Sequence, residues 1–160
     1  YVSGSQDSIG IVFPGLNRLD YASGEYWPEK ITTVTDPDIL DWIEQRLWFI
    51  TLPPREGNFN VRDETRISAA GAKALAEAAD VVWESLQATD SNRFGAAFRA
   101  SFEAQVAMFP LMKSKTVSDT IGLYKDKALG WKLAGAGGGG YLVLVSERPV
   151  ENAIRIRIRR

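Results

Sequence analysis

Gln6 and Asp7 stand among small residues, Gly4, Ser5, Ser8 and Gly10, so a substrate could approach their side chains closely. A carboxylate so placed can take the proton of a hydroxyl, and the neighbouring amide can orient that hydroxyl. The other reading of Asp7 is the cap of a short helix beginning at Ser8. The two are compatible, because a helix N-terminus favours the charged form of a nearby carboxylate. Towards the other end, Gly135, Gly137, Gly138, Gly139 and Gly140 place five glycines in six positions, with Ala136 among them. Glycine loses more conformational freedom on folding than any other residue, so such a run is costly unless backbone must come very close to something. Its N–H groups could face phosphate, its bare backbone could lie against a neighbouring phosphate-binding segment, or it could be a flexible hairpin loop. Gly135, Gly137 and Gly140 formally satisfy G-x-G-x-x-G, but a dinucleotide site needs a strand before the glycines and a helix after them. Tyr141 to Val145 is aromatic and aliphatic and reads as a buried strand. The order is strand, loop, strand, which removes most support for a dinucleotide fold. Arg55, in a loop after Pro53-Pro54, is either a phosphate or carboxylate contact or a solvated cation.

Composition narrows the chemistry further. The chain has 160 residues, 45% of them apolar, enough for one core and one domain by default. Nineteen Lys and Arg against 20 Asp and Glu leave a net charge of −1, which gives no support for a general nucleic-acid or membrane partner. There is no apolar run long enough to span a bilayer and no secretory pattern at the start, and a cytoplasmic location is expected. Cys and His are both absent, which removes thiolate and imidazole metal ligands and a Ser-His-Asp arrangement within these residues. Acid–base work falls to Asp, Glu, Lys or Tyr. The first residue is Tyr1 rather than Met, as in a piece of something longer.

The elements that must position these residues follow from pattern. Leu16 to Val34 alternate loosely and read as two or three short strands, one of them Ile31–Val34. Asp36-Pro37-Asp38 opens a short helix with Pro37 at its first position. Trp48–Leu52 is a buried strand stopped by Pro53-Pro54. The spacing of Ile67, Ala70, Ala74, Ala78, Val81 and Val82 predicts an amphipathic helix over about 65–88, whose alanines imply a closely approached partner. Asp90 or Ser91 caps a second helix carrying Phe94, Phe98, Phe102 and Phe109 as a core stripe, ended by Pro110. Thr116 and Asp119 resemble a capping box. The tail, Ala153 to Arg160, alternates isoleucine with arginine and reads as a half-buried strand. Its charges are read as protecting a sheet edge rather than binding nucleic acid.

Three stretches together resemble the GHMP small-molecule kinases, in particular their fucokinase-like and heptose-phosphate kinase-like sugar branch. Lys132-Leu133-Ala134-Gly135-Ala136-Gly137-Gly138-Gly139-Gly140 resembles that family's third signature, and a strand follows it as the family requires. Gly4-Ser5-Gln6-Asp7-Ser8-Ile9-Gly10 resembles the branch's Gly-x-Gln-Asp-Gln-x-Gly segment, with Ser8 in place of the second Gln. Thr51 and Arg55 resemble its Thr-Gly-x-x-Arg segment, with Leu52 in place of the Gly. The resemblance implies that Asp7 is the catalytic base or an electrostatic aid for the attacking sugar hydroxyl. It also implies that Gly4, Gln6 and Arg55 line the substrate site, and that residues 135–140 border the nucleotide phosphates. It implies ATP with Mg2+, the metal being held by an N-terminal half whose Pro-x-x-x-Gly-Leu-Gly-Ser-Ser segment is not in this sequence.

The expected fold is α+β: a mainly antiparallel sheet of four or five strands with helices on one face. The resemblance makes its core ferredoxin-like. The expected function is that of the C-terminal half of an ATP-dependent kinase for a sugar or sugar phosphate, inactive when isolated. Its partners are the sugar, ATP and the N-terminal half. The rival readings are a non-catalytic ligand- or partner-binding module, and a nucleic-acid binder using the arginine tail.

Overall fold

The computed structural model describes residues 4–55, 57 and 59–160. The sequence reading expected one domain over 1–160, and the contacts gather into two compact units: residues 1–44 with 157–160, and residues 45–156.

The first unit contains α1 (Ser5–Val12), the strands β1 (Leu16–Asp20) and β2 (Lys30–Val34), and α2 (Pro37–Glu44). The strands form an antiparallel ladder from Leu16↔Val34 to Asp20↔Lys30. On it the directly opposed Asn17 and Thr33 also share a side-chain hydrogen bond of 2.7 Å. Pro14-Gly15 turns the chain into β1 at a positive φ of 74°, where a Cβ would stand 2.4 Å from the carbonyl oxygen of Val34. α2 starts as its sequence requires. Pro37 fills the first position, and the Asp36 carboxylate accepts the N–H of Asp38 at 2.9 Å.

The last turn of α2 anchors the chain's end. Glu44 is buried, with 3% of its side chain exposed. Its carboxylate accepts the backbone N–H of Ile158 at 2.9 Å and the Arg157 guanidinium at 2.8 Å. Arg160 pairs with Asp41 and reaches Glu44 at 3.5 Å. The carbonyl of Arg159 accepts the N–H of Gly15 at 2.7 Å. The tail is therefore not the long edge strand expected. Only Ile154–Arg155 forms a strand, and Arg157 and Arg160 are held by carboxylates.

The second unit carries β3 (Leu47–Thr51), α3 (Ala69–Gln87), α4 (Ser91–Met108), a 3-10 turn (Pro110–Met112), α5 (Lys115–Tyr124), β4 (Gly130–Leu133), β5 (Tyr141–Val145) and β6 (Ile154–Arg155). Its strands lie in the order β4-β5-β3-β6, every neighbouring pair antiparallel. In chain sequence that order is second, third, first, fourth, the split βαβ order of a ferredoxin-like sheet. The expected α+β class is what forms. Three helices separate the first two strands, whereas the crossover from β5 to β6 has none. β5 is central, and Leu142, Leu144 and Val145 are fully buried, which explains its unbroken apolar run.

The phenylalanine stripe of α4 faces the core as expected, with Phe94 and Phe102 almost fully buried. Asp90 caps this helix, its carboxylate accepting the N–H of Arg93 at 3.0 Å. α4 reaches the sheet where neither has a side chain. A Cβ on Gly130 would lie 2.0 Å from the carbonyl oxygen of Gly95, and one on Gly95 would lie 2.4 Å from Cβ of Leu129. α3 lies on α4, but of the spaced positions expected to face a partner Ile67, Ala70 and Ala74 are exposed, and the close approach is made by Gly71. Gly71 approaches Met108 so closely that a Cβ would be 2.8 Å from its Cγ. Its other face, including Ala72, Ala76 and Ala79, is exposed. α5 begins earlier than the Thr116–Asp119 pattern predicts. Ser114 is the cap, accepting the N–H of Val117 at 3.3 Å, while the Asp119 carboxylate pairs with Lys115 Nζ at 2.6 Å.

The backbone N–H of Ile158, followed by the Arg157 guanidinium, holds the Glu44 carboxyl below the ordinary Glu value of 4.5, against the opposing effect of burial. A depressed acid contributes stability that is complete above its unfolded value and is lost as pH falls through the lower folded value. Glu44→Ala is expected to cost about 1.5–3 kcal/mol at pH 7, the worth of hydrogen bonds to a charged group. Denaturant titrations should show the gap between wild type and variant closing as pH falls below 4.5. A gap that is independent of pH would remove the ionised carboxylate from this role.

Candidate functional site

The glycine run is the loop of the β4–β5 hairpin. β4 pairs with β5 from Gly130↔Val145 to Leu133↔Leu142, and the N–H of Ala134 reaches the carbonyl of Tyr141 at 3.0 Å. Two glycines show why side chains are excluded. Gly138 has a φ of 73°, and a Cβ there would sit 2.4 Å from the Phe59 ring. Gly139 needs no unusual φ, but a Cβ would meet backbone, 2.6 Å from the carbonyl oxygen of Pro53 and 2.9 Å from the nitrogen of Arg55. The bare backbone thus lies against the segment that follows β3. Close approach of bare backbone to a neighbouring segment, which the sequence suggested, is present at Gly138 and Gly139.

Arg55 belongs to the same assembly. Its Nε donates to the carbonyl of Gly137 at 2.8 Å, and its guanidinium carbon stands 5.7 Å from the centre of the Phe59 ring. The residue expected to contact substrate thus fastens the glycine loop. Gly138 N–H is also engaged, with the carbonyl of Met112 at 3.3 Å. Loop, Pro53-Pro54 and the start of α5 border a cavity of about 540 Å³ lined by Pro53, Phe59, Lys113, Thr116, Gly138 and Gly139, among others. Its volume lies within the usual small-molecule range of about 300–1,000 Å³. Lys113 supplies a cation to the wall, and Asn60, Asp63, Ser114 and Thr116 supply polar and acidic side chains.

Lys132, within the signature that precedes the loop, is placed by the sheet. Its Nζ donates to Ser101 Oγ at 3.1 Å and to Gln105 Oε1 at 2.6 Å. Those residues are one turn apart on α4, so a single ammonium ties the helix to the strand that leads into the loop. Burial pushes the Lys132 pKa down to about 8. Beside it, the Arg99 guanidinium lies over the Trp131 ring at 5.2 Å.

Asp7, Gln6 and Gly4 lie in the first unit. Helix α1 begins at Ser5, and Gly4 is its N-cap without any side-chain cap bond. Asp7 is the third helical residue and exposed, its N–H bonded to the carbonyl of Gly4 at 3.1 Å. The cap reading of Asp7, with a helix from Ser8, is therefore corrected: the helix begins three residues earlier, at Ser5, with Gly4 as its N-cap. Gln6 folds back over Gly4, where a Cβ would be 2.1 Å from its Oε1. Ser5 is buried beneath this turn. Its Oγ donates to the carbonyl of Tyr26 at 2.5 Å and stands 3.0 Å from the Tyr21 hydroxyl.

Sequence reasoning singled out the glycine loop, Arg55, Gly4, Gln6 and Asp7. It missed Phe59, the Pro53 carbonyl and the Lys132 clasp, because each is defined by a partner remote in the chain. It also missed Tyr26 and Trp27, although an exposed Tyr-Trp pair in a turn was a legible signal. Among the described residues, no three His, Cys, Asp or Glu side chains gather as a metal ion would require, and no helix is long and apolar enough to cross a membrane.

Gly139→Val is expected to lower stability by about 1–3 kcal/mol through overpacking against backbone that cannot turn aside. Gly122→Ala, on α5 where nothing lies within 4 Å of the added Cβ, should raise it by about 0.5–1 kcal/mol. Urea midpoints of the two variants check the pair. An unchanged midpoint for Gly139→Val would show that the loop does not depend on its bare backbone.

No protein-family model matches the chain. A stretch of 74 residues, 46% of the chain, is 39% identical to an L-fucokinase/L-fucose-1-P guanylyltransferase of Bacteroides fragilis. The match covers 8% of that protein's length, so the chain corresponds to a small part of the relative it matches. The similarity relates this region to a sugar kinase-like protein.

Proposed function

We propose that the chain is the C-terminal part of an ATP-dependent kinase acting on a sugar or sugar phosphate. The observation that carries this reading is the glycine hairpin, whose bare backbone forms one wall of a small-molecule cavity and excludes any side chain from it. The 74-residue similarity to a bifunctional fucokinase and guanylyltransferase supports it. In this reading Gly138 and Gly139 border the nucleotide phosphates, and Arg55 holds their loop in shape. The segment that grips the triphosphate and the ligands of Mg2+ are assigned to a companion half.

Asp7 then takes the proton of the sugar hydroxyl as its oxygen bonds to the γ-phosphorus of ATP. The bond from that phosphorus to the β,γ-bridging oxygen breaks, and ADP leaves. Gln6 orients the hydroxyl. Phosphoryl transfer depends mainly on positioning and on stabilisation of charge, and an exposed carboxylate suits that demand.

The test uses the chain joined to its companion nucleotide-binding half. Asp7→Asn keeps shape and removes charge. Turnover is expected to fall by on the order of a hundredfold to ten-thousandfold, the usual worth of a general base. The melting temperature should hold, because Gly4 and not Asp7 caps the helix. ATP affinity should also be kept. Turnover within a few fold of wild type would remove Asp7 from the mechanism and leave the reading without a base.

A further inference from the structure

Tyr26 and Trp27 are an exposed aromatic pair in the connection between β1 and β2. Their rings meet edge to face, with centroids 5.2 Å apart and planes at 87°. They are 46% and 59% exposed, although large aromatic side chains gain most from leaving water. The connection is fastened to the first turn of α1 at one residue. Ser5, 2% exposed, donates its hydroxyl to the carbonyl of Tyr26 and stands within hydrogen-bond distance of the Tyr21 hydroxyl. Gln6 and Asp7 directly follow Ser5 and are exposed. The fold therefore brings together, in one unit, an exposed carboxylate, an exposed amide and a braced pair of aromatic rings.

We propose that Trp27, braced by Tyr26, is the platform on which the sugar ring stacks while Gln6 and Asp7 address its hydroxyl; this rests on the kinase reading above. A pyranose has an apolar face of C–H groups and a rim of hydroxyls. An indole face complements the first, and a planar amide and carboxylate complement the second. The edge-to-face contact fixes the orientation of the indole, so little side-chain freedom is lost when a ring settles on it. The other exposed apolar residues of α1, Ile11 and Val12, sit at the opposite end of the helix from Ser5. A sugar is thus the occupant that the mixed chemistry at the Ser5 end selects, in preference to an apolar protein surface.

The experiment measures steady-state kinetics of the joined protein, wild type first, with L-fucose, the common aldohexoses and their monophosphates as phosphoryl acceptors. No acceptor-dependent ADP release with any of them would overturn the kinase reading, and this inference with it. With an acceptor found, Trp27→Ala should raise its KM by about tenfold, the factor that about 1.4 kcal/mol of lost contact corresponds to. The KM for ATP and kcat should stay within about twofold, and the melting temperature should be unchanged. Trp27→Phe, which restores an aromatic face, should recover most of the loss. A folded Trp27→Ala protein with unchanged sugar KM would overturn the platform while leaving the kinase reading intact. A rise in KM that accompanies a lower melting temperature and is not relieved by Trp27→Phe would assign Trp27 a structural role and overturn it equally.

Discussion

The contact of Gly130 with Gly95 decides where the second unit can place everything else. With no Cβ on either residue, a helix carbonyl lies against a strand Cα, so α4 sits lower on the sheet than ordinary side chains permit. Two residues along β4, this depth brings Lys132 within reach of Ser101 and Gln105, one helical turn apart. The strand thus leaves the helix fixed by a backbone contact and by a charged clasp. The loop that follows has its starting point set, and its own lack of side chains lets it close on Pro53, Arg55 and Phe59. One unusual composition therefore serves two purposes along a single hairpin: depth of packing at its base and a bare wall at its tip.

Charge is buried in two different ways in the two units. Lys132 has neutral partners, so desolvation acts on it unopposed and lowers its pKa. Glu44 meets a backbone N–H and a guanidinium, which outweigh the same penalty and hold its carboxyl in the charged form. The first arrangement leaves an ammonium whose pKa is lowered to about 8. The second fixes the position of the chain's end. Arg157 and Arg160 of the tail are held by Glu44 and Asp41, which the alternation of the sequence does not disclose.

What the sequence disclosed followed the range of the signals. Helices and strands with local signatures were legible: Pro37 at the start of α2, Asp90 before α4, the apolar run of β5, and the strand on each side of the glycines. The ferredoxin-like strand order came through the resemblance, since pattern alone does not pair β3 with both β5 and β6. Local signals failed at two helix starts. Ser114 and not Thr116 caps α5, and Gly4 and not Asp7 stands at the start of α1. The tail misled because period-two alternation records which faces differ. It does not record that the carboxylate of Glu44 captures the chain at Ile158. At the candidate site the type of each residue was legible and its neighbour was not, as with Arg55, whose partner Gly137 is 82 residues away.

The claim that joins these parts is that the bare wall made by Gly138 and Gly139 faces the phosphates of bound nucleotide. Hydrogen–deuterium exchange of the joined protein, with and without Mg2+ and a non-hydrolysable ATP analogue, tests it most directly. Peptides covering 134–140 and 111–117 should gain protection when the analogue binds. Protection confined to the companion half, with exchange in both of these segments unchanged at saturation, would contradict it.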